Sequence, residues 1–167
     1  RLAESLAVVK PDEATQVADA LVPDALAGLP DTAEIATMAL RQQSFQRAKR
    51  DQVEASYAPL KQAIEIAERH LGPNHADTAA TMGLLSNTYG RFGEYKMQLA
   101  TAQEALTRAM AGLGAQRPHL TLTAVERWHA EALRRNDRPA DAVPILRRVL
   151  DDPRQLAGSD TPRVRNA

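Results

Sequence analysis

Four histidines, two closely spaced glycines and a single tryptophan offer the most chemistry in this chain. His70, His75, His119 and His129 could ligate a metal, but none makes a recognised ligand spacing with Asp or Glu, and no HExxH is present. Gly112 and Gly114 look like the start of a phosphate-cradling loop. No strand-like run precedes them and no Lys-Ser/Thr follows, so they read as a helix stop. The serines lack the strained strand–turn–helix context of an activated nucleophile. The chain has no cysteine, which excludes disulfides, thiolate zinc sites and a thiol nucleophile. No acid and base are held at one site. The residues therefore predict no enzyme, no metal and no cofactor.

The elements that would position any other chemistry are legible from composition and period. The chain has 167 residues, 44% apolar and 25% charged, enough for one domain or one stretch of repeats. Aromatics are only 4%, so the core must be Ala, Leu, Val, Ile and Met, which favours close helix packing over strands. Twenty-one basic residues balance 21 acidic ones, which argues against direct nucleic-acid binding. No apolar run approaches the roughly 18 residues of a membrane span. Arg outnumbers Lys 17 to 4, and with the Ala richness this suggests a GC-rich bacterial genome. The chain opens at Arg1 without a signal-like segment. It reads as a cytoplasmic fragment of a larger protein.

Residues 1–30 form an N-terminal segment, expected as one or two short helices, a cap or a linker. Leu2, Leu6 and Val9 have helical spacing up to Pro11, Asp12 and Glu13 suit a helix start, and Pro23 and Pro30 punctuate the rest. Asp31 and Glu34 resemble a capping box, followed by Ile35, Met38 and Phe45 on one face. The next helix carries Val53, Tyr57, Leu60, Ile64 and Ala67, and Leu71-Gly72-Pro73 ends it. Asp77 is expected to cap a helix with Thr81, Met82, Leu85 and Tyr89 inward. Gly90 and Gly93 turn the chain into a helix with Tyr95, Leu99, Ala102, Leu106 and Met110 inward, stopped at Leu113-Gly114. After Pro118 a helix near residues 120–135 carries Leu122, Val125, Trp128, Ala132 and Leu133. The last has Ala142, Ile145, Leu146, Val149 and Leu150, and Asp152-Pro153 ends it.

Leu71-Gly72 and Leu113-Gly114 stand 42 positions apart. Gly93-Glu94-Tyr95 through Ala105-Leu106 aligns without gaps on Asp51 through Ile64 and on Asp137 through Leu150. His75 aligns with His119 if the second loop is two residues longer, which suggests a shared structural role such as capping. Gly158 through Val164 looks like the same loop again. The expected repeats are about 31–72, 73–114 and 115–157, with 158–167 beginning another. Leu71-Gly72-Pro73-Asn74-His75-Ala76-Asp77-Thr78, Tyr89, Gly93, Tyr95 and Ala105-Leu106 carry a resemblance to the long, roughly 42-residue tetratricopeptide repeats of kinesin light chains and bacterial signalling proteins. Departures are Ser56 and Gln98 where a small apolar residue is usual, Asp137 where Gly is usual, and Glu126 and His129 at inward places. A one-residue shift would turn Trp128 inward instead.

The resemblance implies an all-α fold, a superhelical array of antiparallel hairpins whose first helices line a concave groove. It implies a non-catalytic interaction or scaffold module with a protein or peptide partner, an acidic one if the arginines of the groove take part. The alternatives are a ligand-sensing domain attached to a kinase or DNA-binding domain, or a homodimer formed through exposed repeat ends. The groove residues it places are Ala80, Gly83, Asn87, Gly90 and Arg91 in the centre. Ala124, Arg127, Glu131, Arg134 and Arg135 follow in the third repeat. If Phe45 takes the place of Tyr89, Gln43 and Arg47 come from the first. An arginine set pairs carboxylates in bidentate fashion, although such a set is equally an ordinary solvated face. Asn87 could bond a peptide backbone. Trp128 could anchor a ligand, but a tryptophan filling the space between hairpins is the favoured reading. The Asn pair of kinesin light chains near Gly83-Leu84 is absent, so their peptide specificity does not transfer.

Overall fold

The structure, a computed structural model, describes residues 11–114 and 119–151. The run at Leu2, Leu6 and Val9, the signals at Pro118 and Asp152-Pro153, and the loop at Gly158–Val164 lie outside the described residues. Seven helices and no strand occupy the described residues: α1 (Pro11–Ala27), α2 (Ala33–Lys49), α3 (Val53–His70), α4 (Ala76–Arg91), α5 (Tyr95–Leu113), α6 (Leu120–Arg135) and α7 (Pro139–Leu150). Each helix packs on the next, which pairs α2–α3, α4–α5 and α6–α7 as antiparallel hairpins behind α1. The first helices also meet one another, α4 touching both α2 and α6. The result is a superhelical array of hairpins, as the repeat requires.

The three hairpin turns share one backbone device. Asp51, Gly93 and Asp137 have φ of 56°, 83° and 57°, the left-handed region. In each case the following N–H reaches back five residues: Gln52 to the Arg47 carbonyl, Glu94 to Tyr89 and Arg138 to Leu133, at 2.9–3.1 Å. This is the bond that closes a helix when the residue before it turns left-handed. Aspartate therefore does at 51 and 137 what glycine does at 93, because its short side chain tolerates that region.

The helix starts differ from expectation in two places. Thr32 rather than Asp31 precedes α2, without a side-chain cap, and the Thr32 hydroxyl donates instead to the carbonyl of Ala25. His75, not Asp77, caps α4: its Nδ1 accepts the Asp77 N–H at 3.2 Å. His119 caps α6 in the same way, accepting from Thr121 at 3.3 Å. The two histidines thus share the structural role their alignment suggested. Pro23 lies inside α1 instead of ending it.

The faces of α3 and α4 follow the sequence pattern. Leu60 and Ala67 are buried, with Val53, Tyr57 and Ile64 half-buried. Thr81, Met82, Leu85 and Tyr89 on α4 are all buried. In α2 the expected face is wrong: Ile35, Met38 and Phe45 are exposed, and the buried stripe is Ala33, Ala36, Thr37, Leu40, Ser44 and Ala48. This helix is hemmed in by α1, α3 and α4, and mostly small residues, with Leu40 among them, sit at the contacts. Tyr95 and Met110 are likewise exposed. On α7, Ala142, Ile145 and Val149 are buried but Leu146 and Leu150 are not. Their counterparts Ala102 and Leu106 are covered by α6, whereas no described element packs beyond α7.

Polar residues settle the register. Ser44 donates to the carbonyl of Ser56 at 2.6 Å, and Ser86, 42 residues on, donates to the carbonyl of Gln98 at 2.8 Å. Ser56 and Gln98 are both buried, Gln98 at 2% exposure against Gly90. In the third hairpin the pair becomes Ala130 and Ala142, an apolar contact. This register matches Phe45 with Asn87, not with Tyr89.

Candidate functional site

The corrected register rebuilds the face made by α2, α4 and α6. A cavity of about 410 Å³ is lined by Met38, Arg41, Gln42 and Phe45 from α2, Ala80 and Leu84 from α4, and Trp128 from α6. A second of about 360 Å³ adjoins it, lined by Asn87, Arg127, Trp128, Ala130, Glu131, Arg134 and, from α7, Leu146. Trp128 is the wall the two share. Met38 and Phe45, two of the apolar residues that failed to join the core of α2, line this trough.

Trp128 is neither wholly core nor wholly exposed. Its ring packs partly against the cluster of Ala79, Met82, Ala105, Leu106, Leu122 and Val125. The same ring lies on Gly83: a β-carbon added there would meet Cε3 and Cζ3. Glycine at 83 is what allows an indole from the third hairpin to lie this close to the second. The positions one residue off, Glu126 and His129, are buried instead at 1% and 6% exposure.

The basic residues divide into two kinds. Arg91 Nη2 donates to the Ala48 carbonyl at 3.5 Å, and Arg135 Nη1 donates to the Gly90 carbonyl at 2.5 Å. These are repeat-equivalent staples. Each guanidinium caps the last turn of the preceding first helix, where carbonyls lack helical partners. Arg135 also approaches the Tyr95 ring, 5.8 Å from its centroid. Arg41 pairs with Asp77 across α2 and α4 at 3.5 Å. Glu131 takes both Arg134, at 2.8 and 2.9 Å, and Arg135 at 2.6 Å. The Arg134 hydrogen bonds hold its carboxyl down to about 2, against burial, with Arg135 assisting.

Arg127 differs from these: it is exposed and no described acid pairs with it. Lys49 sits over the Phe45 ring at 4.7 Å from its centroid. Asn87 is half-exposed within the second cavity. Gln43 and Arg47 stand elsewhere. Gln43 donates to Asp19 on α1 at 2.6 Å, and Arg47 donates to the Ala55 carbonyl on α3 at 3.1 Å. Their groove placement followed from matching Phe45 with Tyr89. Met38, Arg41 and Phe45 are the first-hairpin residues that the sequence reading missed. The paired serines 42 residues apart carried the signal.

Away from the trough, Tyr57 donates to Glu94 at 2.7 Å and packs tilted against the Tyr89 ring and edge-on to Phe92. Burial, then the Glu94 hydrogen bond, pushes the Tyr57 phenol up, and burial does the same to Tyr89. Arg108 ties α5 to Glu68 of α3 and to its own Glu104. These contacts stiffen the hairpin stack. Among the described residues no His, Asp or Glu cluster could hold a metal, and no helix is long and apolar enough to cross a membrane.

Helical hairpins stacked so that three first helices share one trough define a class, the helical-repeat solenoids. Residues 51–77 match the family model described as tetratricopeptide repeat. Two solved structures share the fold. One is a Podosopora anserina putative kinesin light chain with nearly identical TPR-like repeats, at 17% identity and TM-score 0.66, covering 91% of this chain and 70% of that one. A point variant of the same protein gives 17% identity and TM-score 0.67, covering 90% and 69%. No curated protein matches the chain. The fold is that of kinesin-light-chain-like tetratricopeptide repeats, and repeats of this kind generally serve as non-catalytic scaffolds for protein–protein interaction.

Proposed function

We propose that this chain binds a peptide segment of a partner protein in the trough formed by α2, α4 and α6. The supporting observation is the pair of adjoining cavities on either side of Trp128. The first is mainly apolar, with Met38, Phe45 and Leu84. The second is mixed, with Asn87 and Arg127, which no described acid pairs, beside Trp128 and Leu146. An apolar side chain fits the first. A backbone amide or carboxylate fits Asn87 and Arg127, and a guanidinium pairs a carboxylate bidentately. The partner segment is therefore acidic. The excess of Arg over Lys supports a bacterial source, and the setting we propose is a cytoplasmic regulatory or scaffold protein.

The test compares partner capture by the intact protein and by an Asn87→Ala/Arg127→Ala variant, after circular dichroism shows equal helicity. Neither residue carries a hairpin staple, so the stack survives both changes. A partner lost only by the variant supports the trough. One retained equally by both moves the interaction elsewhere. The exposed Val143, Leu146 and Leu150 on α7 favour one second reading, self-association through that face. Sedimentation across protein concentration separates it from the first.

A further inference from the structure

The third hairpin carries an imidazole in its interior. His129 on α6 is 6% exposed, and neither ring nitrogen has a hydrogen-bond partner. Its equivalent in the second hairpin is Leu85, packed in an apolar cluster with Leu60 and Tyr89. A neutral imidazole fits such a place as a poor substitute for leucine. A protonated one has two donors and a charge with nothing to receive them.

The surroundings offer no relief. From α7 the nearby charges are Arg138 at its start, paired with the exposed Asp141 at 2.8 Å, and Arg148, whose Nε lies 3.1 Å from Glu126. Glu126 is one turn back on α6 itself and is engaged by that arginine. The face α5 turns to α6 carries Leu99, Leu106 and Ala109, none titratable. From α4 come Met82 and Gly83, with its charges Asp77 and Arg91 confined to the helix ends. In the α6–α7 turn Asp137 is exposed. Burial, and secondarily Arg138, accordingly hold the His129 imidazole below its ordinary value.

We propose that His129 is an acid-operated latch: on taking up a proton it loosens α7 from α6 and with them the trough wall of Trp128, Glu131 and Leu146. The link is short. Trp128 is the adjacent residue, and Leu146 is the α7 contribution to the second cavity. The structural part stands by itself. Its consequence for partner binding rests on the trough reading above.

The direction follows from proton linkage. The unfolded imidazole binds protons below about 6.5 and the folded one only at lower pH. Stability of this hairpin is complete above that value and falls as pH drops through it. One extra proton in the open state raises the opening constant by up to about tenfold per pH unit.

The experiment follows hydrogen exchange of α6 and α7 amides, with emission of Trp128, the sole tryptophan, from pH 7.5 to 5 on the full chain. Exchange is corrected for its intrinsic pH dependence, with α2 and α3 as internal reference. His129→Gln and His129→Leu, neither titrating in this range, are run beside wild type. His119→Asn controls for the α6 cap, since a protonated Nδ1 can no longer accept the Thr121 N–H. The expected result is acid opening confined to α6 and α7 in wild type and in His119→Asn, absent in whichever His129 variant folds at pH 7.5. The latch is overturned by any of three results: no acid response in wild type, an equal response in the His129 variants, or loss of the response only in His119→Asn. Peptide binding assayed at pH 7.5 alone judges the trough reading separately.

Discussion

Replacing Gly83 with alanine tests how Trp128 is seated. An alanine β-carbon at 83 would lie 2.5 Å from Cζ3 of the indole and closer still to Cε3. Carbon atoms rest at about 3.5–4.0 Å, so the ring must withdraw by about 1 Å or more. It cannot do so freely, because its inner edge packs on the hairpin core. Overpacking of this kind costs about 1–3 kcal/mol. Against this, Gly→Ala within a helix gains about 1 kcal/mol. The net expectation is a loss of about 0–2 kcal/mol, with a shift in Trp128 emission as the ring swings into the trough. In a Trp128→Leu background the clash is gone, and the same Gly83→Ala change should stabilise by about 1 kcal/mol. Urea denaturation of the four proteins closes the cycle. If Gly83→Ala stabilises equally in both backgrounds and leaves the emission unchanged, the indole does not lie on Gly83 and the trough has another wall.

Two further substitutions probe the backbone. At Asp137 and Asp51, where φ is 57° and 56°, glycine should stabilise each turn by about 0.5–1 kcal/mol, read from denaturant midpoints. Unchanged or lowered midpoints would mean that the aspartates are held there by contacts worth more than the strain. At Gly112, inside α5, an added β-carbon runs into the backbone carbonyl of Asn74 in the loop before α4. A carbonyl cannot swing aside as a side chain does. Gly112→Ala should therefore lose about 1–3 kcal/mol despite its better helix propensity, and a raised Tm would contradict the close approach.

How much of this was legible depended on which interactions set each position. The repeat, the faces of α3 and α4 and the paired histidines could be read because local periodicity and equivalent loops determine them. The face of α2 could not. The spacing of Ile35, Met38 and Phe45 suggests a core, but α2 is pressed between α1, α3 and α4, and Ala33, Ala36, Leu40, Ser44 and Ala48 occupy the contacts. The register error at Phe45 followed, and it carried Gln43 and Arg47 with it. Arg91 and Arg135 were read as groove cations because charge is visible in sequence and a carbonyl partner more than 40 residues away is not. Gly112 looked like a helix stop, yet it lies within α5 because another segment's backbone passes over it. Trp128 divided the alternatives: half of its ring packs as a core residue and half faces the trough.

The central claim is that a partner segment lies along the first helices. The most direct measurement is amide and side-chain NMR of the labelled chain titrated with an acidic peptide selected against it from a random library. The account predicts shift changes gathered at Met38, Phe45, Leu84, Asn87, Arg127 and the Trp128 indole, weakened by Arg127→Ala. Shift changes gathered on α3, α5 or the outer face of α7, with the indole unmoved and Arg127→Ala without effect, would contradict it.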